Sequence, residues 1–212
     1  MQDFKIACKR PGQDRNIFEY RSLITPLDRA LLNGHRGAAI WLTGLSGSGK
    51  STIAQALDQR MYKDQYRSFV IDGDNIRHGL CSDLGFSLID RSENIRRVSE
   101  VVRLYVEAGM LVISSFISPI IKDRARAREL IPKGQFFEIF CDCPISECER
   151  RDTKGLYAKA RAGLLPDFTG IDSPFEPPIA PELTLKTGTT YPDECVEKII
   201  ELLHKNKILE ST

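Results

Sequence analysis

The run Gly44-Leu45-Ser46-Gly47-Ser48-Gly49-Lys50-Ser51 fits the spacing G-x-x-x-x-G-K-[ST]. That spacing carries phosphate-binding chemistry. Gly44, Gly47 and Gly49 let main-chain N–H groups approach phosphate oxygens closely. A helix that starts at Lys50 adds the favourable potential of its N-terminus for anions. Lys50 would reach the outer phosphates, and Ser51 would coordinate Mg²⁺ through its hydroxyl. A glycine-rich turn with an incidental lysine is the bland alternative. Against it, the motif lies directly between a buried strand and a helix, as the mechanism requires.

Such a loop fixes the phosphate donor but not the acceptor. A GTPase base reader, Asn-Lys-x-Asp, is missing: Asn206-Lys207 sits in the tail and is followed by Ile208-Leu209. Asp167-Phe168-Thr169-Gly170 matches D-x-x-G but does not follow a strand. The strand Met110–Ile113 ends in Ser114-Ser115, without the acid of motor-type ATPases. Acids appear after Ser68–Ile71 instead, as Asp72-Gly73-Asp74-Asn75. Residues just past a parallel strand's C-terminal end face the ligand crevice. Asp72 is therefore assigned chemistry, in Mg²⁺ binding or proton acceptance, and Asp74 acceptor contact; capping of a following helix is the alternative. Gly73 between them predicts that the two side chains diverge. Arg77 and Arg91, read as lying near element starts beside this loop, suggest a negatively charged acceptor gripped by guanidinium forks. Arg96 and Arg97 read as a solvated helix face. Phe86 is either a stacking platform for a planar base or a core plug.

These groups need a scaffold, and the pattern supplies one. Thr25-Pro26-Leu27-Asp28 starts a helix with Leu27, Ala30 and Leu31 on one side, stopped at Asn33-Gly34. Ala38–Thr43 reads as a strand buried on both faces, followed by the loop and a helix from Lys50 to about Met61. Strands at 68–71, 110–113, 136–140 and 182–185 alternate with helices at 93–107, 120–130, from Pro144, and from Pro192. The expected fold is α/β, a P-loop NTPase-type parallel β-sheet flanked by helices on both faces. Residues 152–180, charged and rich in Gly and Pro, form an irregular insertion expected to be a mobile lid.

The chain has 212 residues and a net charge of +1. One folded domain, 21–212, is expected behind a polar arm, 1–20. Near-neutral charge gives no global steering toward nucleic acid or anionic membrane. The longest apolar run, Ala38 to Leu42, is too short to span a bilayer, and no secretory signal is visible. The six cysteines (8, 81, 141, 143, 148, 195) form no regular framework and read as reduced thiols of a cytoplasmic protein. A metal site at Cys141, Cys143 and Cys148 is disfavoured because a fourth ligand is lacking.

In sum these strings resemble the adenylylsulfate kinase family, whose members phosphorylate the ribose 3′-hydroxyl of adenosine 5′-phosphosulfate. The likeness runs from about His35 to Thr187 through Gly44–Thr52, Asp72–Leu80, Asp83–Ser87, Arg91–Arg97, Ser115–Pro119, Arg151–Arg161 and Phe168–Pro174. It implies an ATP phosphate loop over Gly44 to Thr52, including Leu45, Ser46, Ser48 and Thr52. It implies an adenylyl sulfate pocket of Asp74, Asn75, Ile76, Arg77, Phe86, Arg91 and Asn94, with Ile117 and Ser118 nearby. Lys154, Asp167 and Phe168 resemble closing contacts of the lid, and Arg151 an ATP-side arginine. Ser118 aligns with a serine treated in bacterial members as a phosphoserine intermediate; a ligand hydrogen bond is its other reading. The family often has two lysines after the lid tyrosine, whereas Tyr157 here precedes Ala158 and Lys159. The resemblance further implies ATP and Mg²⁺ as cofactors, a homodimer, and an ATP sulfurylase as pathway neighbour. The length predicts the kinase alone, without a fused sulfurylase. Other acceptors (a sugar acid or nucleoside) and a non-catalytic ATP-sensing module are the rival readings.

Overall fold

Thr25 begins the first helix, α1 (Pro26–Asn33), with a reciprocal cap: its hydroxyl accepts from Asp28 N, and the Asp28 carboxylate accepts from Thr25 N at 2.8 Å. Gly34 closes it in the left-handed conformation. The apolar side of α1 is bare: Leu27 and Leu31 are 68% and 71% exposed. The computed structural model describes residues 22–209. The expected polar arm, and Cys8 within it, lie outside them.

Strands β1 (Ala38–Thr43), β2 (Ser68–Asp72), β3 (Leu111–Ser115), β4 (Phe136–Cys141) and β5 (Leu183–Leu185) form one sheet in the order β2-β3-β1-β4-β5, every pairing parallel. The alternating side chains of β1 explain the two-sided burial. Ala38, Ile40 and Leu42 pack with Ile53, Leu57 and Met61 of α2 (Lys50–Lys63) and with Val196, Ile199 and Leu203 of α8 (Pro192–Lys205). Ala39 and Trp41 face the other way, onto Ile95, Val98, Val102 and Val106 of α4 (Leu88–Glu107) and Ala127 of α5 (Ile121–Glu129). Each large side chain fully buried this way contributes roughly 1.5–3 kcal/mol. The expected sheet with helices on both faces is the one observed.

The chain leaves β1 for the β2 edge, returns through β3, and then continues on the far side of β1 through β4. The order thus reverses at β1, and in sheets of this kind ligands bind outside the strands' C-terminal ends at such a point. The phosphate loop sits there.

Strand and helix ends shift by one or two residues from the sequence reading, and two differences are larger. The helix expected from Glu93 starts at Leu88, because Ser87 accepts from Asp90 N at 3.2 Å and fixes an earlier N-terminus. Only from Ile95 onward does α4 contribute apolar side chains to the core, so its first turns carry no periodic signal. The 152–180 insertion is not uniformly irregular. It contains α7 (Leu156–Arg161), which with α6 (Ile145–Arg151) builds a small cluster of Cys143, Cys148, Tyr157, Ala160 and Phe168. Cys81, Cys141, Cys143, Cys148 and Cys195 are buried free thiols. No helix of the described residues is long and apolar enough to cross a membrane.

Candidate active site

The loop between β1 and α2 is pressed against its surroundings. Gly44 has φ 150°, and a Cβ on it would stand 2.6 Å from Cys141 O, so no side chain fits. Gly49 adopts φ 90° as the N-cap of α2. Lys50 is folded onto the loop, its Nζ donating to Gly44 O at 3.0 Å and Leu45 O at 2.6 Å. Burial pushes the Lys50 ammonium below its ordinary pKa. An anion in the cradle would relieve that penalty by giving the buried charge a counter-charge. Ser48 is buried, Leu45 and Ser46 are partly buried, and Ser51 and Thr52 are exposed at the start of α2.

Across the loop, Ser51 Oγ donates to Asp72 Oδ2 at 2.8 Å and lies 3.2 Å from Ser115 Oγ. Asp72 Oδ1 also accepts from Asp74 N at 3.0 Å, capping α3 (Gly73–Arg77). The capping alternative therefore holds for one oxygen, while the other faces the loop. The cluster is all hard oxygen, the donor class that suits Mg²⁺. Asp74 diverges from Asp72 as expected and forms an ion pair with Lys154, from beyond α6.

Arg77 is the last residue of α3, not near an element start as its sequence neighbourhood suggested; Arg91 lies in the first turns of α4. They nevertheless converge. The Arg77 guanidinium lies 4.3 Å from the Phe86 ring centroid and that of Arg91 5.6 Å. Their donors go to carbonyls: Arg77 to Leu84 O and Gly85 O, Arg91 to Phe86 O and Asp167 O. Among the described residues neither makes a salt bridge. Burial lowers both from their ordinary pKa, and for Arg91 the charge of Arg77 adds to it. Two cations flanking one exposed ring have the chemistry to hold an anion beside a stacked base. Phe86 is 54% exposed, which favours the platform over the core plug. Arg96 and Arg97, by contrast, are neutralised by Glu93 and Asp83.

Asn94 is only 4% exposed, and its Nδ2 has no hydrogen-bond partner. A buried amide without an acceptor is rare in a folded protein. Asn75 is exposed on α3, and Ile76 packs against the Trp41 core. Ile117 O accepts the Thr43 hydroxyl at 2.7 Å. Ser118, with φ 39°, is 2% exposed; its hydroxyl accepts from Trp41 Nε1 at 3.1 Å and donates to Thr43 Oγ1 at 2.9 Å. Arg151 reaches Gly47 O at 3.4 Å and Thr187 O at 2.9 Å. Asp167 is exposed, whereas Phe168 turns inward.

The contacts of two residues escaped the sequence. Tyr157 Oη donates to Ser46 O at 2.9 Å. The buried Arg124 binds Glu138 Oε1 at 2.6 Å, Ser118 O at 2.6 Å and Glu176 O at 2.7 Å, tying the Ser118 turn to the end of the insertion. Nothing in the charge-rich string of α5 distinguishes Arg124 from Arg126 and Arg128, which are less buried; a Glu inside the apolar β4 was the one available sign that a buried cation faces it.

A parallel sheet with this cradle at its switch point, an acid at the end of β2 that reaches the start of α2, and two arginines flanking an exposed ring defines a P-loop kinase. Residues 36–186 match the family Adenylylsulphate kinase. The chain is 52% identical over 197 residues to an adenylyl-sulfate kinase of Acaryochloris marina, covering 93% of this chain and 96% of that one. It is 55% identical over 192 residues to the adenylyl-sulfate kinase of Prochlorococcus marinus, covering 91% and 96%. The solved structure of the Mycobacterium tuberculosis APS kinase in complex with AMPPNP and APS aligns with a TM-score of 0.77 at 48% identity, over 80% of this chain and 99% of that one. This chain belongs to the adenylylsulphate kinase family.

Proposed function

We propose that the chain transfers the γ-phosphoryl group of ATP to the 3′-hydroxyl of adenosine 5′-phosphosulfate, giving 3′-phosphoadenylyl sulfate and ADP. The observation that supports this reading is the pair Arg77 and Arg91 around the exposed Phe86, cationic and without a salt-bridge partner among the described residues. A base stacks on Phe86 while the guanidiniums bind the phosphosulfate, and Asn94 Nδ2 donates to a ligand oxygen, the acceptor it otherwise lacks. Asp74, Asn75, Ile76, Ile117, Lys154, Asp167 and Phe168 complete the acceptor pocket; Arg151 serves the nucleotide side. The 152–180 insertion closes over the ligands and excludes water, which would otherwise waste ATP by hydrolysis.

In the transfer, the 3′-oxygen forms a bond to the γ-phosphorus as the bond to the β–γ bridging oxygen breaks, and ADP leaves with that electron pair. The hydroxyl proton passes to the Asp72 carboxylate and then to solvent. Lys50 holds the outer phosphates and Ser51 with Asp72 would hold Mg²⁺, which offsets charge on the phosphate oxygens when bound. Ser118 is a positioning residue in this scheme. Its hydroxyl is buried and engaged at both ends, so in-line transfer needs no serine intermediate. The protein works in the cytoplasm as a homodimer, downstream of an ATP sulfurylase that makes its acceptor.

Purified chain given MgATP and adenosine 5′-phosphosulfate should release ADP and yield a 3′-phosphorylated product by mass spectrometry. Transfer to gluconate or a nucleoside but not to adenylyl sulfate would overturn the assignment. Nucleotide binding without any product would favour the sensor.

A further inference from the structure

A loop that turns its N–H groups toward an anion must send its carbonyls elsewhere, and each of those needs a donor. All four carbonyls from Gly44 to Gly47 have one. Lys50 serves Gly44 and Leu45, Arg151 serves Gly47, and Tyr157 serves Ser46. Of these donors, Tyr157 is the one that lies within the insertion.

The same side chain faces the acceptor side. Its ring meets Phe168 edge-on, centroids 4.9 Å apart, in a small apolar cluster that also takes in Leu45 of the phosphate loop. One residue before Phe168, Asp167 holds φ 57° and offers its carbonyl to Arg91 Nη2 at 2.9 Å. Arg91 in turn flanks Phe86. A continuous series of contacts thus joins Ser46 O to the acceptor pocket, with a hydrogen bond at each end and ring packing between.

We infer that Tyr157 is a positioning residue that couples the two ligand sites, through its hydroxyl on Ser46 O and its ring on Phe168. The second ligand's identity rests on the activity proposed above. Phosphate in the cradle fixes the Ser46 peptide, which fixes α7 and the Asp167 carbonyl on Arg91. The acceptor then binds a segment that is already ordered, and linkage makes the effect reciprocal.

Tyr157→Phe keeps the ring and removes the hydroxyl, so it separates the relay from the packing. Calorimetry would measure the Kd of adenosine 5′-phosphosulfate with and without saturating AMPPNP and Mg²⁺. The parent chain should bind roughly fivefold or more tightly with the nucleotide present, and Tyr157→Phe should reduce that ratio to within about twofold of unity. Affinity without nucleotide should stay near the parent value. In steady state the variant should raise KM for adenylyl sulfate at saturating ATP with kcat little changed, a split that general loss of folded protein does not produce. A ratio retained in Tyr157→Phe, or absent from the parent, would overturn the relay while leaving the activity standing. Failure of the parent to bind adenylyl sulfate at all would remove the activity and the relay together.

Discussion

Ser51 and Asp72, 21 positions apart, are joined by a hydrogen bond of 2.8 Å from the hydroxyl to Oδ2, across the mouth of the phosphate loop. The bond unites the start of α2 with the end of β2. Asp72 also caps α3 through its other oxygen. A substitution that keeps the cap but removes the charge isolates the chemistry. Asp72→Asn should lower kcat by roughly 10²–10⁴-fold with a smaller change in KM, as measured by ADP release. An equal rise in KM with kcat unchanged would exclude the proposed role.

Lys50 is the buried donor for two loop carbonyls. Lys50→Ala should reduce transfer by roughly 10²-fold or more, on the scale of losing one preorganised transition-state donor. It should also destabilise the fold by about 1–3 kcal/mol, because Gly44 O loses its Lys50 donor, whereas Leu45 O keeps Ser48 N. A kinetic assay and a thermal melt read the two effects separately.

Ser118→Ala leaves the Trp41 indole N–H without its acceptor. The variant should lose about 1–3 kcal/mol of stability yet keep turnover within about tenfold of the parent. A radiolabelled phosphoserine trapped on the parent chain, or turnover abolished in a folded variant, would reinstate the covalent route.

Lys154 pairs with Asp74 at the surface, where an ion pair contributes only about 0–1 kcal/mol. Lys154→Met should therefore leave the melting temperature nearly unchanged. KM for adenylyl sulfate should rise several-fold, with KM for ATP unaffected. Equal effects on both substrates would argue against an acceptor-side role.

Glu93 is held at about 2, below its ordinary 4.5, by hydrogen bonds from Arg96 and then Arg97. A carboxylate with a depressed folded-state pKa stabilises the fold above its unfolded value and loses that contribution as pH falls through the window from 4.5 to about 2. The difference in melting temperature between the parent and Glu93→Gln should be largest near neutrality and shrink as pH falls into that window. A difference independent of pH would show that the ion pairs are not its source.

What was legible in the sequence was local. The glycine spacing, the two-faced burial of Ala38–Thr43 and the acids at and just past the end of β2 each depend on neighbours in the chain, and the fold realises all three. Arg77 and Arg91 could be singled out by their nearness to the acidic loop, although Arg77 ends its helix instead of starting one. The Ser87 cap was present in the sequence but masked, because the apolar stripe that marks α4 begins two turns later. The illegible contacts are long-range. Tyr157 and Ser46 are separated by 111 positions, and Ser118 meets Trp41 across 77. No periodicity encodes such meetings; only the order of strands brings them about.

The thiols packed beneath the cradle carry a practical consequence. Burial pushes both Cys141 and Cys148 up to about 12, so at neutral pH almost none of either is thiolate. An alkylating reagent can capture them only during excursions in which the end of β4 or the base of α6 comes apart. Mass-resolved labelling at these two positions therefore serves as a clock for breathing of the nucleotide cradle, and nucleotides that seat firmly there should slow it.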